Sequence, residues 1–213
     1  PDWAGLRDGP AQPILNRGVS ALYPPGSTWK LVLATLAMRE GTVGIDSYMP
    51  SSCRGALQFG RRAFRCWKPE GHGPLDLSGA IKQSCNVFFY QAGLRLGLDA
   101  LLRGVDDLGF NRKTGLDMPT EQSGRFPQSR EWYERGYGPR GWTESVTLNL
   151  SIGQGETEQT LMRMVQFYAA LATGQSPVIP HLVRNEVLNN RRVDWSLDLP
   201  EQNRAELVAA LKS

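Results

Sequence analysis

The tripeptide Pro24-Pro25-Gly26 sets the strongest limit on what this chain can fold into. Proline disfavours a helical conformation in the residue before it, so residues 1–26 read as irregular and a helix can begin only at Ser27. From there Leu31, Leu33, Ala34, Leu36 and Ala37 recur at mixed spacings of three and four, and Gly41 follows Arg39-Glu40 as a helix stop. The pattern predicts a helix over 27–40. Its apolar residues fall on more than one face, which predicts a buried, central position.

Around that helix the sequence predicts a helix-rich molecule. Alternation about a glycine turn in Leu57–Cys66 predicts a small hairpin. Asp76 or Ser78 caps a short helix to about Gln83, a second helix runs from about Val87 to Leu96, and a third covers 98–108 before Gly109. A loop-rich span is expected over 110–156. Thr157 or Glu158 opens a long apolar helix to Ala172, and Pro200 starts a terminal helix to Leu211. The 213 residues suit one domain, and 23 Gly with 14 Pro imply long connections between helices. No apolar run reaches the roughly 18 residues of a membrane span. The start at Pro1-Asp2-Trp3 is unlike a signal peptide, and the chain reads as a segment of a longer protein. A net charge of +3 with interspersed signs gives no basic stripe for nucleic acid.

Ser27-Thr28-Trp29-Lys30 puts a hydroxyl and an amine three residues apart, on one helix face with Cβ atoms about 5–6 Å apart. That spacing suits a serine nucleophile with a lysine base. The helix N-terminus would favour a developing oxyanion, and burial would favour the free amine of Lys30. Ser-x-x-Lys alone arises about once by chance in a chain of this length. Only five Lys stand beside nineteen Arg here, however, and the prolines pin Ser27 to the helix start. Downstream, Ser84-Cys85-Asn86 offers a second hydroxyl and an amide between two helices, fit to relay a proton and to bind Lys30 and a substrate carbonyl. Helix capping is the bland reading of each motif taken singly.

Cys53, Cys66, His72 and Cys85, spaced Cys-x12-Cys-x5-His-x12-Cys, offer the four ligands of a closed tetrahedral zinc site. The competing reading is a Cys53–Cys66 disulfide with Cys85 as a buried free thiol. Trp29, Trp132 and Trp142 read as core or loop anchors, and His181 as a solvated loop residue. Glu156, Glu158 and Asp198 have no paired-carboxylate spacing, and no phosphate-binding glycine loop occurs.

Taken together, Tyr23–Lys30, Arg65-Cys66-Trp67, Gly71-His72-Gly73, Ser84–Tyr90, Thr114–Pro119 and Ser151–Gly155 resemble the class B penicillin-binding transpeptidases, within them the elongation-type group, over essentially all 213 residues. The resemblance implies an α-rich segment of the α/β penicillin-binding protein/β-lactamase-like fold, with most of the antiparallel sheet outside this chain. It implies one incomplete transpeptidase domain over 1–213, mainly the helical subdomain, with 42–76 as a small insertion that zinc could staple.

By the same resemblance Ser27 would attack the D-Ala–D-Ala bond of a peptidoglycan stem peptide, with Lys30 as base, Ser84 as proton relay and Asn86 as positioning amide. The acyl group would pass to a neighbouring stem, and β-lactams would trap Ser27. Some members of the group hold zinc beside the active site, which favours the metal reading. The implied setting is the periplasmic face of the bacterial inner membrane. The implied partners of the whole protein are a membrane SEDS-type glycosyltransferase and other elongation-complex proteins.

One departure stands out. Lys113-Thr114-Gly115 matches the family's third box in letters but precedes Gly153-Gln154-Gly155, so it reads as a decoy, with the genuine box beyond the terminal helix. The isolated stretch is therefore expected to be acylated slowly. Two other readings remain: a β-lactamase, for which no deacylating Glu is evident, and a penicillin-recognising sensor or zinc-stapled interaction module without turnover.

Overall fold

The computed structural model describes residues 2–183 and 190–213. Its centre is α2 (Lys30–Arg39), in which every residue from Lys30 to Met38 is buried. A helix apolar on all faces needs neighbours all round. Here they are α3 (Leu77–Lys82), α4 (Asn86–Leu96), α5 (Leu98–Asp107) and α9 (Glu201–Lys212). Just before α2, the Trp29 ring meets Phe110 edge-on at 4.7 Å and stacks on Phe126 at 5.5 Å, anchoring the start of the helix in the core.

Residues 27–29 do not join the α-helix. They form a tight 3-10 turn, Gly26–Trp29, because Gly26 N–H is drawn to the Gly153 carbonyl at 2.9 Å and Thr28 Oγ1 donates to the Pro25 carbonyl at 2.8 Å. Gly153 sits at φ +69, and a Cβ there would lie 2.5 Å from the Gly26 carbonyl oxygen. Only glycine permits so close an approach.

The expected hairpin is β1 (Ala56–Phe59) paired antiparallel with β2 (Arg62–Arg65), with Ala56 opposite Arg65 and Phe59 opposite Arg62. It forms the one sheet among the described residues. Asp76 caps α3 by accepting from Gly79 N–H at 2.7 Å.

Four further sequence expectations need correction. Residues 1–26 contain a short helix, α1 (Trp3–Asp8), whose cap is Asp2. The span 110–156 holds two helices as well as loops: α6 (Arg130–Tyr137), polar enough and broken enough by Gly136 to hide its period, and the six-residue α7 (Val146–Ser151). Helix α8 (Leu161–Thr173) starts after Thr157 and Glu158, with Thr160 as its cap. Glu158 and Gln159 are instead drawn into extended pairings with Arg125 and Tyr23. Finally, His181 is half-buried, with Nδ1 3.4 Å from the Ile179 carbonyl oxygen.

Candidate active site

The turn before α2 and the connection from α3 to α4 converge on the Lys30 side chain. Ser84 occupies that connection at φ +50, a left-handed conformation that costs a non-glycine residue about 1–2 kcal/mol. Its surroundings hold it there. Cys85 N–H bonds the Ala80 carbonyl at 3.0 Å, and the Ser84 carbonyl receives Lys30 Nζ at 2.7 Å and the Trp67 indole N–H at 3.2 Å. The turn thus aims the Ser84 hydroxyl at Ser27, to which it donates at 3.0 Å.

Lys30 Nζ lies 3.3 Å from Ser27 Oγ, 2.9 Å from Ser84 Oγ and 2.7 Å from Asn86 Oδ1. Two of its contacts, the Ser84 carbonyl and the Asn86 amide oxygen, can only accept, so they fix two N–H bonds of the amine. The remaining direction faces the two hydroxyls. There a protonated lysine presents a third N–H and a neutral one its lone pair. Burial brings the Lys30 pKa down to about 8, which puts the neutral form within reach near neutral pH. Asn86 is held in turn, its Nδ2 donating to the Arg65 carbonyl at 3.3 Å. The Tyr90 hydroxyl donates to the same carbonyl at 3.1 Å.

Cys53, Cys66, His72 and Cys85 also meet, with their four donor atoms within 4.8 Å of one another. All three thiols are free, so the Cys53–Cys66 disulfide reading is set aside. Cys53 and Cys66 Sγ each stand 3.5 Å from His72 Nδ1. Tetrahedral bonds of about 2.3 Å to sulfur and 2.05 Å to nitrogen would place such atoms about 3.6 Å apart. The donor set and its spacing fit a structural tetrahedral metal. Burial pushes the Cys85 thiol up to about 12, a cost that a cation in the cluster would remove.

The two clusters share a backbone. Cys85 lies between Ser84 and Asn86, and Cys66 lies between Arg65, whose carbonyl holds Asn86, and Trp67, whose indole holds Ser84. Sequence reasoning read Trp67 only as part of a motif. Trp67 is 61% exposed, yet its ring packs edge-on against His72 at 5.1 Å and its indole N–H donates to two carbonyls, contacts no periodicity signals.

Lys113-Thr114-Gly115 is bound elsewhere. Arg163 donates to the Arg112 and Lys113 carbonyls at 3.0 and 2.9 Å, Gln166 donates to the Thr114 carbonyl at 3.1 Å, and Glu121 accepts from Thr114 N–H at 2.7 Å.

A helical core carries a Ser-x-x-Lys turn, with Ser27 exposed and Lys30 buried, faced by a Ser-x-Asn connection, and the family comparison assigns a chain of this build to a class of protein. The chain belongs to the penicillin binding protein transpeptidase domain family, which matches residues 4–206. It is 34% identical over 183 residues to peptidoglycan D,D-transpeptidase MrdA of Acinetobacter baumannii, covering 86% of this chain and 27% of that protein. With MrdA of Escherichia coli K12 it shares 29% over 194 residues, 91% of this chain and 30% of that one. The chain thus spans less than a third of these relatives.

Solved structures agree in fold. The penicillin-binding protein PBP2 of Pseudomonas aeruginosa, in complex with WCK 5153, superposes with a TM-score of 0.82 at 31% identity, over 98% of this chain and 47% of that one. PBP2 of Helicobacter pylori in complex with MreC gives 0.82 at 30% identity, over 97% of this chain and 37% of that one. The mostly helical chain with its small two-stranded sheet is a part of that fold.

Proposed function

We propose that this chain carries the acylation machinery of a peptidoglycan D,D-transpeptidase of the elongation type, with Ser27 as nucleophile. The observation that carries the reading is the Lys30 amine, fixed by two carbonyl acceptors so that its third direction faces the hydroxyls of Ser27 and Ser84. Ser27 Oγ attacks the carbonyl carbon of a D-Ala–D-Ala bond and its proton passes to Lys30 Nζ. The C–N bond then breaks, and the departing amine takes that proton through Ser84 Oγ. In the second half an amine of a neighbouring stem peptide attacks the ester, the Oγ–C bond breaks, and Ser27 recovers its proton. Asn86 orients Lys30 through Oδ1. A β-lactam follows the first half and stays attached, its leaving nitrogen held in the acyl group.

The cluster of Cys53, Cys66, His72 and Cys85 would hold zinc in a structural role, supplying folding energy to the glycine-rich insertion of residues 42–76. The protein's own residues then carry the positioning: Arg65 and Trp67, either side of Cys66, grip Asn86 and Ser84. In the whole protein we place this domain at the periplasmic face of the inner membrane, although no helix among the described residues is long and apolar enough to cross it. The relatives solved with MreC and in a peptidoglycan synthase complex support an assembly of the same kind.

Intact mass after exposure to benzylpenicillin tests the central step. The wild-type full-length protein should gain one penicilloyl group, mapped to Ser27, and Ser27→Ala should gain none, a loss of at least about 1,000-fold in labelling rate. Labelling of Ser27→Ala at the wild-type rate would end the proposal.

A further inference from the structure

A cavity of about 310 Å³ lies between the hairpin and the α6–α7 connection, lined in part by Arg62, Phe64, Tyr137, Trp142, Asn149 and Glu156. None of these residues acts in the acyl transfer described above, yet short stretches of chain tie the walls to residues around Ser27. On one side Phe64 precedes Arg65, whose carbonyl holds Asn86. On the other, Glu156 follows Gly153 by three residues, and the Gly153 carbonyl accepts from Gly26 N–H at 2.9 Å. Three extended residues cover about 10 Å at most, which bounds the reach from that contact to Glu156.

Glu156 is a half-buried carboxylate that accepts from the Tyr133 hydroxyl at 3.3 Å and the Tyr137 hydroxyl at 3.2 Å. No Lys, Arg or His pairs with it among the described residues. Tyr133 is fully buried and stacked against Tyr137 and Trp142, with centroids 6.1 and 5.0 Å away, so the carboxylate is held on a rigid support. A carboxylate without a cation beside exposed aromatic surface is an environment that selects an organic ammonium, by charge-assisted hydrogen bonds and by attraction to the ring faces. Arg62, exposed on the same lining, can take a carboxylate borne by the same ligand.

We infer that this cavity is a substrate subsite for the ammonium-bearing side chain of the amino acid that precedes the D-Ala–D-Ala unit, with Glu156 as its counter-ion. The inference rests on the acyl-transfer reading and deepens it. An ammonium paired with Glu156 keeps its proton and is no nucleophile, so the subsite holds a spectator amine of the donor peptide and not the attacking amine of the acceptor. One extended residue plus a lysine-length side chain lets an ammonium reach about 10 Å from the attacked carbonyl.

The test uses the full-length protein with two donor peptides, Nα-acetyl-lysyl-D-alanyl-D-alanine and its Nα,Nε-diacetyl counterpart, reading kcat/KM from D-alanine release. Benzylpenicillin acylation is followed in parallel. Wild type should prefer the free amine about tenfold, the effect of one hydrogen-bonded charge pair. Glu156→Gln should bring the two peptides level while penicillin acylation stays within about twofold. Equal use of both peptides by a wild type that penicillin still acylates, or a preference that survives Glu156→Gln, overturns the subsite alone. Failure of penicillin to acylate Ser27 overturns the acyl-transfer reading and the subsite with it. The wild-type comparison changes the substrate and not the protein, so it stands even where the variant does not fold.

Discussion

Lys30 must shed a proton before it can accept one, and the burial that lowers its pKa to about 8 decides when that happens. Below that pH the neutral fraction falls tenfold per unit, and above it the fraction saturates. The rate of penicillin acylation should therefore climb about tenfold per pH unit up to about pH 8 and then level off, as followed by rapid-quench mass analysis. A rate flat from about pH 6 to 9 would remove Lys30 from the role of base. The sign for stability follows the same shift. The unfolded lysine holds its proton more tightly than the folded one, so this group's contribution to stability grows as pH rises from about 8 towards 10.5 and is constant outside that window. At this scale the residue types were legible because their chemistry is rare in the chain: few lysines, three cysteines, one Ser-x-Asn on a predicted connection. The Ser84 backbone at φ +50 was not legible, because a non-glycine residue in that region is held by distant partners such as Trp67.

Among elements, the long apolar helices were readable from their periods, and those whose boundaries depend on tertiary pairing were not. Gln159 bonds Tyr23 across the start of α8, and α6 hides behind its own polarity. The contact of α4 with α7 was equally invisible, because it turns on one missing side chain. A methyl on Gly93 would overlap Ser151 Oγ and come within 2.8 Å of Ser151 Cβ. Turning the hydroxyl away would break its 2.6 Å bond to the Thr147 carbonyl and still leave the Cβ clash. Gly93→Ala should cost about 1–3 kcal/mol, read as a lowered midpoint in denaturant at unchanged slope. An unchanged midpoint would mean the two helices part freely. The hairpin has a different source of stability in this account. Native mass spectrometry should find about one zinc per wild-type chain and none in His72→Ala, together with a lower Tm for that variant. A wild-type mass two hydrogens short, without metal, would point to a disulfide instead.

For the molecule as a whole, letters and location part company at Lys113-Thr114-Gly115. The tripeptide is fixed by Arg163, whose guanidinium is buried against Trp195 at 5.8 Å, and by Gln166 and Glu121, none of which touches the Ser27 cluster. Arg163 uses its charge on the Arg112 and Lys113 carbonyls, so the loop serves as a brace between α5 and α8. The Lys113 side chain is exposed and has no bond in that brace. In the sequence only the order of motifs along the chain set this tripeptide apart, and that order is a property of the topology and not of local sequence. Two substitutions separate brace from catalyst. Lys113→Ala should leave penicillin acylation within about twofold, because a solvated ammonium outside any network contributes little. Thr114→Val, which removes the hydroxyl bonded to buried Glu121, should lower stability by about 1–3 kcal/mol while the acylation rate of the folded fraction holds. A tenfold loss of acylation in Lys113→Ala at unchanged Tm would make this tripeptide part of the site, and the brace reading would fall.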